Sequence, residues 1–352
     1  MMSLLVAFAL SAILAVALTP AIRRLAWSVG YLDHPEARKL HTHATALLGG
    51  VAVVVASLAG WALAMALARL RPSPEELPLL AGGVVALALG LVDDRFGMRP
   101  TLKLAGQTLA AAFVVWGMGA PELGLGPALD ALVAFVFMVG LMNAVNFLDN
   151  MDGVIAGLAV VAFAAFAWLA VGSGAREAAI ALLALAGACL GFLRHNSRPA
   201  SIFLGDAGSL FLGYSLGAAT LLALRHGPGG WSRVGILLIV AYPLFDLLFV
   251  VVNRVRAGRP VYQGGRDHSN HRLASVLKCQ TKTVRILYAC GAALAASGLW
   301  VHALNRPQAA LPILTLWILV LSSLGLWLSR VPVESRMPPP THGASPTTTT
   351  SA

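Results

Sequence analysis

The sequence predicts an all-α, polytopic integral membrane protein of about eleven transmembrane helices with an active site at its cytoplasmic face. Three observations carry that prediction. Of 352 residues, 58% are hydrophobic and 11% charged, with a mean hydropathy of +0.78, which describes a chain dissolved in lipid rather than a pair of soluble domains. Apolar runs of membrane-spanning length recur along the chain, and its basic residues and aspartates sort to one side of them.

Crossing ~30 Å of hydrocarbon takes about 20 residues. Runs at 3–20, 46–69, 78–92, 103–120, 127–143, 154–172, 176–194, 207–224, 234–253, 284–304 and 310–329 meet that need, the third being short. The first reads as a span with its N-terminus outside rather than a signal peptide, because no basic segment precedes it and Arg23 and Arg24 follow it. Alternating the connections places 19 of the 25 Lys and Arg residues on one side, which the positive-inside rule makes cytoplasmic, together with the C-terminus. Eight of the nine aspartates, all but Asp130, fall on or near that side. A passive scaffold has no reason to gather them there.

Residues 1–330 form one membrane domain, and 331–352 a cytoplasmic tail whose Pro- and Thr-rich end from Met337 buries nothing and is expected to be disordered. A net charge of +10 suggests nucleic acid in a soluble protein, but here the cations set orientation, and nucleic acid is excluded as a partner. Cys189, Cys279 and Cys290 have no metal spacing and imply no disulfide.

Four polar groups converge on the cytoplasmic side. Asp93-Asp94-Arg95 closes the third span, where two adjacent carboxylates reach one centre only if the helix ends. Asn143 to Gly153, including Asp152, follows the fifth, with Asn143, Asn146 and Asn150 on one helical stripe and Asp149 beside it. So many polar side chains are expensive at a membrane boundary without a ligand or partner. Gly205-Asp206-Ala207-Gly208-Ser209 opens the eighth span, where free helix N–H groups suit phosphate and the aspartate suits a hard cation. The fourth group is basic: Asp33 to His41, with Arg38, Lys39 and His41, and Gly264 to Arg272, with Arg266, His268, His271 and Arg272. Such cations grip a diphosphate while aspartates hold its metal. Asp246, inside the ninth span, reads equally as a buried ion pair or a site residue.

Taken in order, these motifs resemble the polyprenyl-phosphate N-acetylhexosamine-1-phosphate transferases from about Asp33 to Leu273. The resemblance implies a metal site at Asp206 with Asn146 close by, holding Mg²⁺ with Mn²⁺ as the alternative ion. It implies catalytic roles for Asp93, Asp94, Asp149 and Asp152. Substrate contacts are expected from Arg38, Lys39, His41, Asn143, Asn146, His268, His271 and Arg272. The implied reaction moves a sugar 1-phosphate, N-acetylglucosamine 1-phosphate foremost, from a UDP-sugar to undecaprenyl or another polyprenyl phosphate. It gives a polyprenyl-diphosphate sugar and UMP, at the plasma membrane and on its cytoplasmic face.

Two departures from the family pattern stand out. Ala44, Ala46 and Leu47 replace the usual prolines and arginine before Gly49-Gly50, which predicts a less rigid first loop. Asn270 stands where a histidine is common, which favours the N-acetylglucosamine branch over the phospho-N-acetylmuramoyl-pentapeptide branch. A membrane transporter is the reading from another class, but the chain has no evident repeat and its ionisable residues lie at one face. Besides the bilayer, the sequence leaves open whether a second copy, as a homodimer, is a partner.

Overall fold

The computed structural model describes residues 2–34, 43–74, 76–262 and 264–332. Along them run α1 (Met2–Ser28), a hairpin of β1 (Leu32–Asp33) and β2 (Thr45–Ala46), α2 (Gly49–Ala68), α3 (Glu76–Phe96), α4 (Pro100–Gly117), α5 (Pro127–Leu148), α6 (Val154–Gly172) and α7 (Arg176–Asn196). Then follow α8 (Gly205–His226), α9 (Ser232–Leu238), α10 (Ala241–Arg256), α11 (Ser269–Leu277), α12 (Gln280–Leu304) and α13 (Pro307–Ser329). The all-α, multi-pass architecture is therefore as the apolar runs predict. Among the described residues nine helices are long and apolar enough to span a membrane, and the bent pair α9 and α10 together meets the same test. The remaining predicted run is helical as α4, but Lys103 and Gln107 dilute its apolar character.

The ninth run differs from the straight span expected, since α9 and α10 meet at a 68° bend. Pro243 supplies the reason: lacking an N–H, it cannot bond back to the carbonyl four residues earlier, so it belongs in a first turn. The long connection after α10 also holds an unforeseen helix, α11.

The largely buried α8 is the central strut, packed against α2, α3, α4, α5 and α6. Its first turn lies backbone to backbone on two neighbours. A Cβ on Gly50 of α2 would strike Gly208, and one on Gly90 of α3 would strike Asp206 and Ala207. Only glycine permits so close an approach at these positions.

The two described ends of the first loop are paired with each other and with a neighbouring segment. Leu32 pairs with Ala46 and Asp33 with Thr45; buried Ala46 bridges to Ile202, and its carbonyl accepts the Phe203 N–H at 2.8 Å. Ala46 is thereby paired on both sides. Arg38, Lys39 and His41 lie outside the described residues, as does the tail from Met337.

Candidate functional site

The ends of α3, α5 and α8 meet around the side chain of Lys103, near the start of α4. Its ammonium lies 2.7 Å from Asp93 Oδ2, 2.9 Å from Asp206 Oδ2 and 2.9 Å from Asn146 Oδ1. Asn146 Nδ2 donates to Asp206 Oδ1 at 2.6 Å and to Ser209 Oγ at 2.8 Å. Three motifs well separated in sequence are thereby brought to one point.

Asp93 is further held by the Met98 N–H at 2.6 Å, which fixes the turn between α3 and α4. Its neighbour serves another purpose. Asp94 accepts the backbone N–H groups of Asp206 at 2.8 Å and Ala207 at 3.0 Å, capping α8 from a different helix. The amides expected to be free for phosphate are therefore occupied, because a carboxylate already answers the positive end of α8.

Residues 143–153 link the rest. Asn143 forms a reciprocal amide pair with buried Gln107 of α4, at 2.9 and 3.3 Å, and also donates to Val139 O at 2.8 Å. It thus ties α4 to α5 rather than presenting its amide to a ligand. Phe147 meets the His268 ring edge-on with centroids 6.2 Å apart, and Asn150 Oδ1 accepts from Asn270 Nδ2 at 2.7 Å. Asp152 accepts the Ala200 N–H at 3.3 Å. Asp149 ends α5 only partly exposed. Loss of water around it, then the charges of Asp206, Asp94 and Asp152, raise its carboxyl well above the usual range.

The late loop is arranged by buried carboxylates. Asp246, fully buried, accepts from His268 Nδ1 at 2.8 Å and from the Ser269 N–H at 2.8 Å and hydroxyl at 2.5 Å. It orients the imidazole and caps α11, so the buried-pair reading of this residue holds, and its partner belongs to the motif. Burial alone would raise the carboxyl of Asp267, but the two-pronged contact from Arg254, at 2.8 Å through each nitrogen, holds it below the ordinary value. The His271 ring makes no hydrogen bond with a described residue. Burial, then the charge of His268, brings its pKa down to about 4, so it is neutral at physiological pH.

Arg272 departs from the expected clamp. Its Nε donates to Asp267 O at 3.1 Å, while Nη1 donates to the carbonyls of Leu328, Ser329 and Val331 at 3.1, 3.2 and 2.7 Å. The guanidinium lies over Phe249 and secures the end of α13. One guanidinium nitrogen thus satisfies carbonyls at a helix end that the finished helix leaves without partners.

Lys103 and Gln107 escaped the sequence reading, where Lys103 counted only as an orienting cation. A lysine at the head of an apolar run, with an amide one turn further on, was the available signal. Among the described residues no three His, Cys, Asp or Glu side chains form a ready metal cage. The oxygens of Asp93, Asp206 and Asn146 around one ammonium are nevertheless the donor type that hard cations take.

The profile of glycosyl transferase family 4 matches residues 77–224, which hold this cluster. The chain is 28% identical over 306 residues to the probable undecaprenyl-phosphate N-acetylglucosaminyl 1-phosphate transferase of Bacillus subtilis, covering 83% of each chain. It is 32% identical over 306 residues to the decaprenyl-phosphate N-acetylglucosaminephosphotransferase of Mycobacterium tuberculosis, covering 77% of this chain and 75% of the relative. It is also 32% identical over 265 residues to the undecaprenyl-phosphate alpha-N-acetylglucosaminyl 1-phosphate transferase of Pasteurella multocida, covering 71% of this chain and 73% of the relative.

Proposed function

Because the chain belongs to glycosyl transferase family 4, the polyprenyl-phosphate N-acetylhexosamine-1-phosphate transferases, we propose that it moves N-acetylglucosamine 1-phosphate from UDP-N-acetylglucosamine to undecaprenyl or another polyprenyl phosphate. One observation supports this above the others: Asp93, Asn146 and Asp206, drawn from three helices, surround a single cation, Lys103. A site that balances carboxylates against one ammonium suits a reaction in which two phosphorylated substrates must approach each other.

In this reading an oxygen of the carrier phosphate forms a bond to the sugar-linked phosphorus, and the bond to the UMP oxygen breaks. A phosphate monoester has its second pKa near 6, so the nucleophile is already ionised at neutral pH. Asp93, spent on Lys103 and the Met98 N–H, is accordingly an electrostatic partner rather than a base. Lys103 offsets charge on the reacting phosphates, and neutral His271 offers a hydrogen bond to the donor diphosphate. His268 is oriented by Asp246, while Asp94 and Arg272 position helices.

Asp206 and Asn146 would hold Mg²⁺, or Mn²⁺ in its place, which when bound neutralises the diphosphate. The site is assigned to the cytoplasmic face of the plasma membrane, where the 19 basic residues also lie. Purified protein given undecaprenyl phosphate, Mg²⁺ and labelled UDP-sugars should transfer label to a lipid extract from UDP-N-acetylglucosamine and release UMP. Label from no UDP-sugar, or transfer undiminished by EDTA, would refute the donor or the metal respectively.

A further inference from the structure

A second cavity lies away from this chemistry. It occupies about 530 Å³ between α2, α3, α7 and α8, within the range of ligand pockets. Its inner end is lined by Leu87 and Phe211, and its rim by Glu76, Glu177 and His226. The rim lies at the far end of the helices that build the site, since α3 runs from Glu76 to Asp93 and α8 from Asp206 to His226. Between the two regions α8 lies backbone to backbone on α2 and α3 at Gly50 and Gly90, so the cavity is not an extension of the transferase site.

Its walls are mainly apolar, yet in a bilayer apolar walls discriminate poorly, because lipid tails are as apolar as the side chains they meet. Selection falls to the polar atoms. Glu76 and Trp61 both line the cavity, and each carries a buried atom, Oε1 and Nε1, with no hydrogen-bond partner among the described residues. One is an acceptor and the other a donor, and leaving either unpaired is unfavourable. Glu177 adds a second carboxylate to the same lining and makes no hydrogen bond or ion pair with a described residue. Each unpaired atom is out of reach of solvent, so an occupant meets it through a turn of a side chain that already lines the cavity.

We propose that this cavity binds a phospholipid with an ammonium headgroup, the ammonium resting between Glu76 and Glu177 and an ester carbonyl accepting from the Trp61 indole. Depth supports the pairing. Trp61 lies seven residues before the end of α2, about 10 Å below it at 1.5 Å per residue, and ester carbonyls lie below a headgroup. An anionic head, including that of a polyprenyl phosphate, would meet two carboxylates at the rim.

The full-length protein in detergent, exchanged against equimolar phosphatidylethanolamine, phosphatidylglycerol and polyprenol, can be read by native mass spectrometry. The wild type should retain phosphatidylethanolamine over phosphatidylglycerol by about tenfold, and Glu76→Gln/Glu177→Gln should abolish the preference. Trp61→Phe should weaken both phospholipids alike. Equal retention by the wild type, or a preference surviving the double substitution, would overturn the proposal. So would displacement by polyprenol, which assigns the cavity to the carrier tail, or retention only in a dimer, which assigns it to a second copy. A photoactivatable phosphatidylethanolamine on the unaltered protein needs no variant to fold: label within 54–61 or 174–185 supports the site, and label confined elsewhere rejects it.

Discussion

The carboxylate of Asp94 caps the distant helix α8, accepting the N–H of Asp206, 112 residues later, at 2.8 Å and the Ala207 N–H at 3.0 Å. It thereby fixes where the side chain of Asp206 stands. Asp94→Ala should cost about 1 kcal/mol of stability, as other lost caps do, and should also lower turnover. Thermal unfolding in detergent beside the transfer assay checks both. An unchanged melting temperature with lost activity would make Asp94 a chemical participant instead.

Lys103 is the cation at the centre of the cluster, with three oxygens within 2.9 Å. Lys103→Met should reduce turnover by about a hundredfold or more, the scale seen when a preorganised charge-stabilising group is removed. Activity within a few-fold of wild type would exclude that role.

Asn143 and Gln107 form a reciprocal pair, so cutting Asn143 leaves the buried Gln107 amide unsatisfied at a cost of about 1–3 kcal/mol. The double substitution Gln107→Leu/Asn143→Leu should recover much of that loss, and with it activity. A double variant as stable as wild type but inactive would restore Asn143 to substrate binding.

Asp149 has its folded pKa raised by burial and by the charges of Asp206, Asp94 and Asp152. Above the unfolded value, near 3.9, the folded state holds a proton that the unfolded chain releases, so this residue's contribution to stability falls as pH rises. Asp149→Asn should therefore raise the melting temperature at pH 7 to 8, the gain vanishing toward pH 4. Equal melting temperatures across that window would contradict the assignment.

Arg272 gives its donors to the backbone of Leu328, Ser329 and Val331. Arg272→Lys cannot keep the Nε bond to Asp267 O or the planar group over Phe249 and should lower stability while donor affinity, measured by calorimetry, stays within about twofold. A large loss of donor affinity in a protein of normal stability would return Arg272 to the diphosphate.

The membrane architecture was legible because apolar length is a constraint written into every span, and the acidic motifs because ionisable groups at a membrane boundary need a reason. What the sequence hid was partnership. Asp93 and Asp94 are adjacent and look alike, yet one faces Lys103 and the other caps α8, a division set by where α3 ends against α8. Arg272 sits in a motif with His268 and His271, but reaches α13, whose position no local pattern announces. Lys103 was hidden for the opposite reason: a lone cation near a membrane surface already has an ordinary explanation in topology. The bend before Pro243 was readable from proline alone, whereas α11 depends on the cap that buried Asp246 provides.

The glycine contacts of α8 carry a consequence for how loss of function is interpreted. Backbone resting on backbone has no rotamer with which to absorb an error, so Gly50 and Gly90 set the position of Asp206 as a spacer sets a gauge. One methyl group there would push the first turn of α8 outward, and a displacement of about 1 Å can cost about a hundredfold in rate. A genetic screen would therefore score as indispensable two residues that possess no functional group. At this junction, sensitivity to substitution measures distance rather than chemistry.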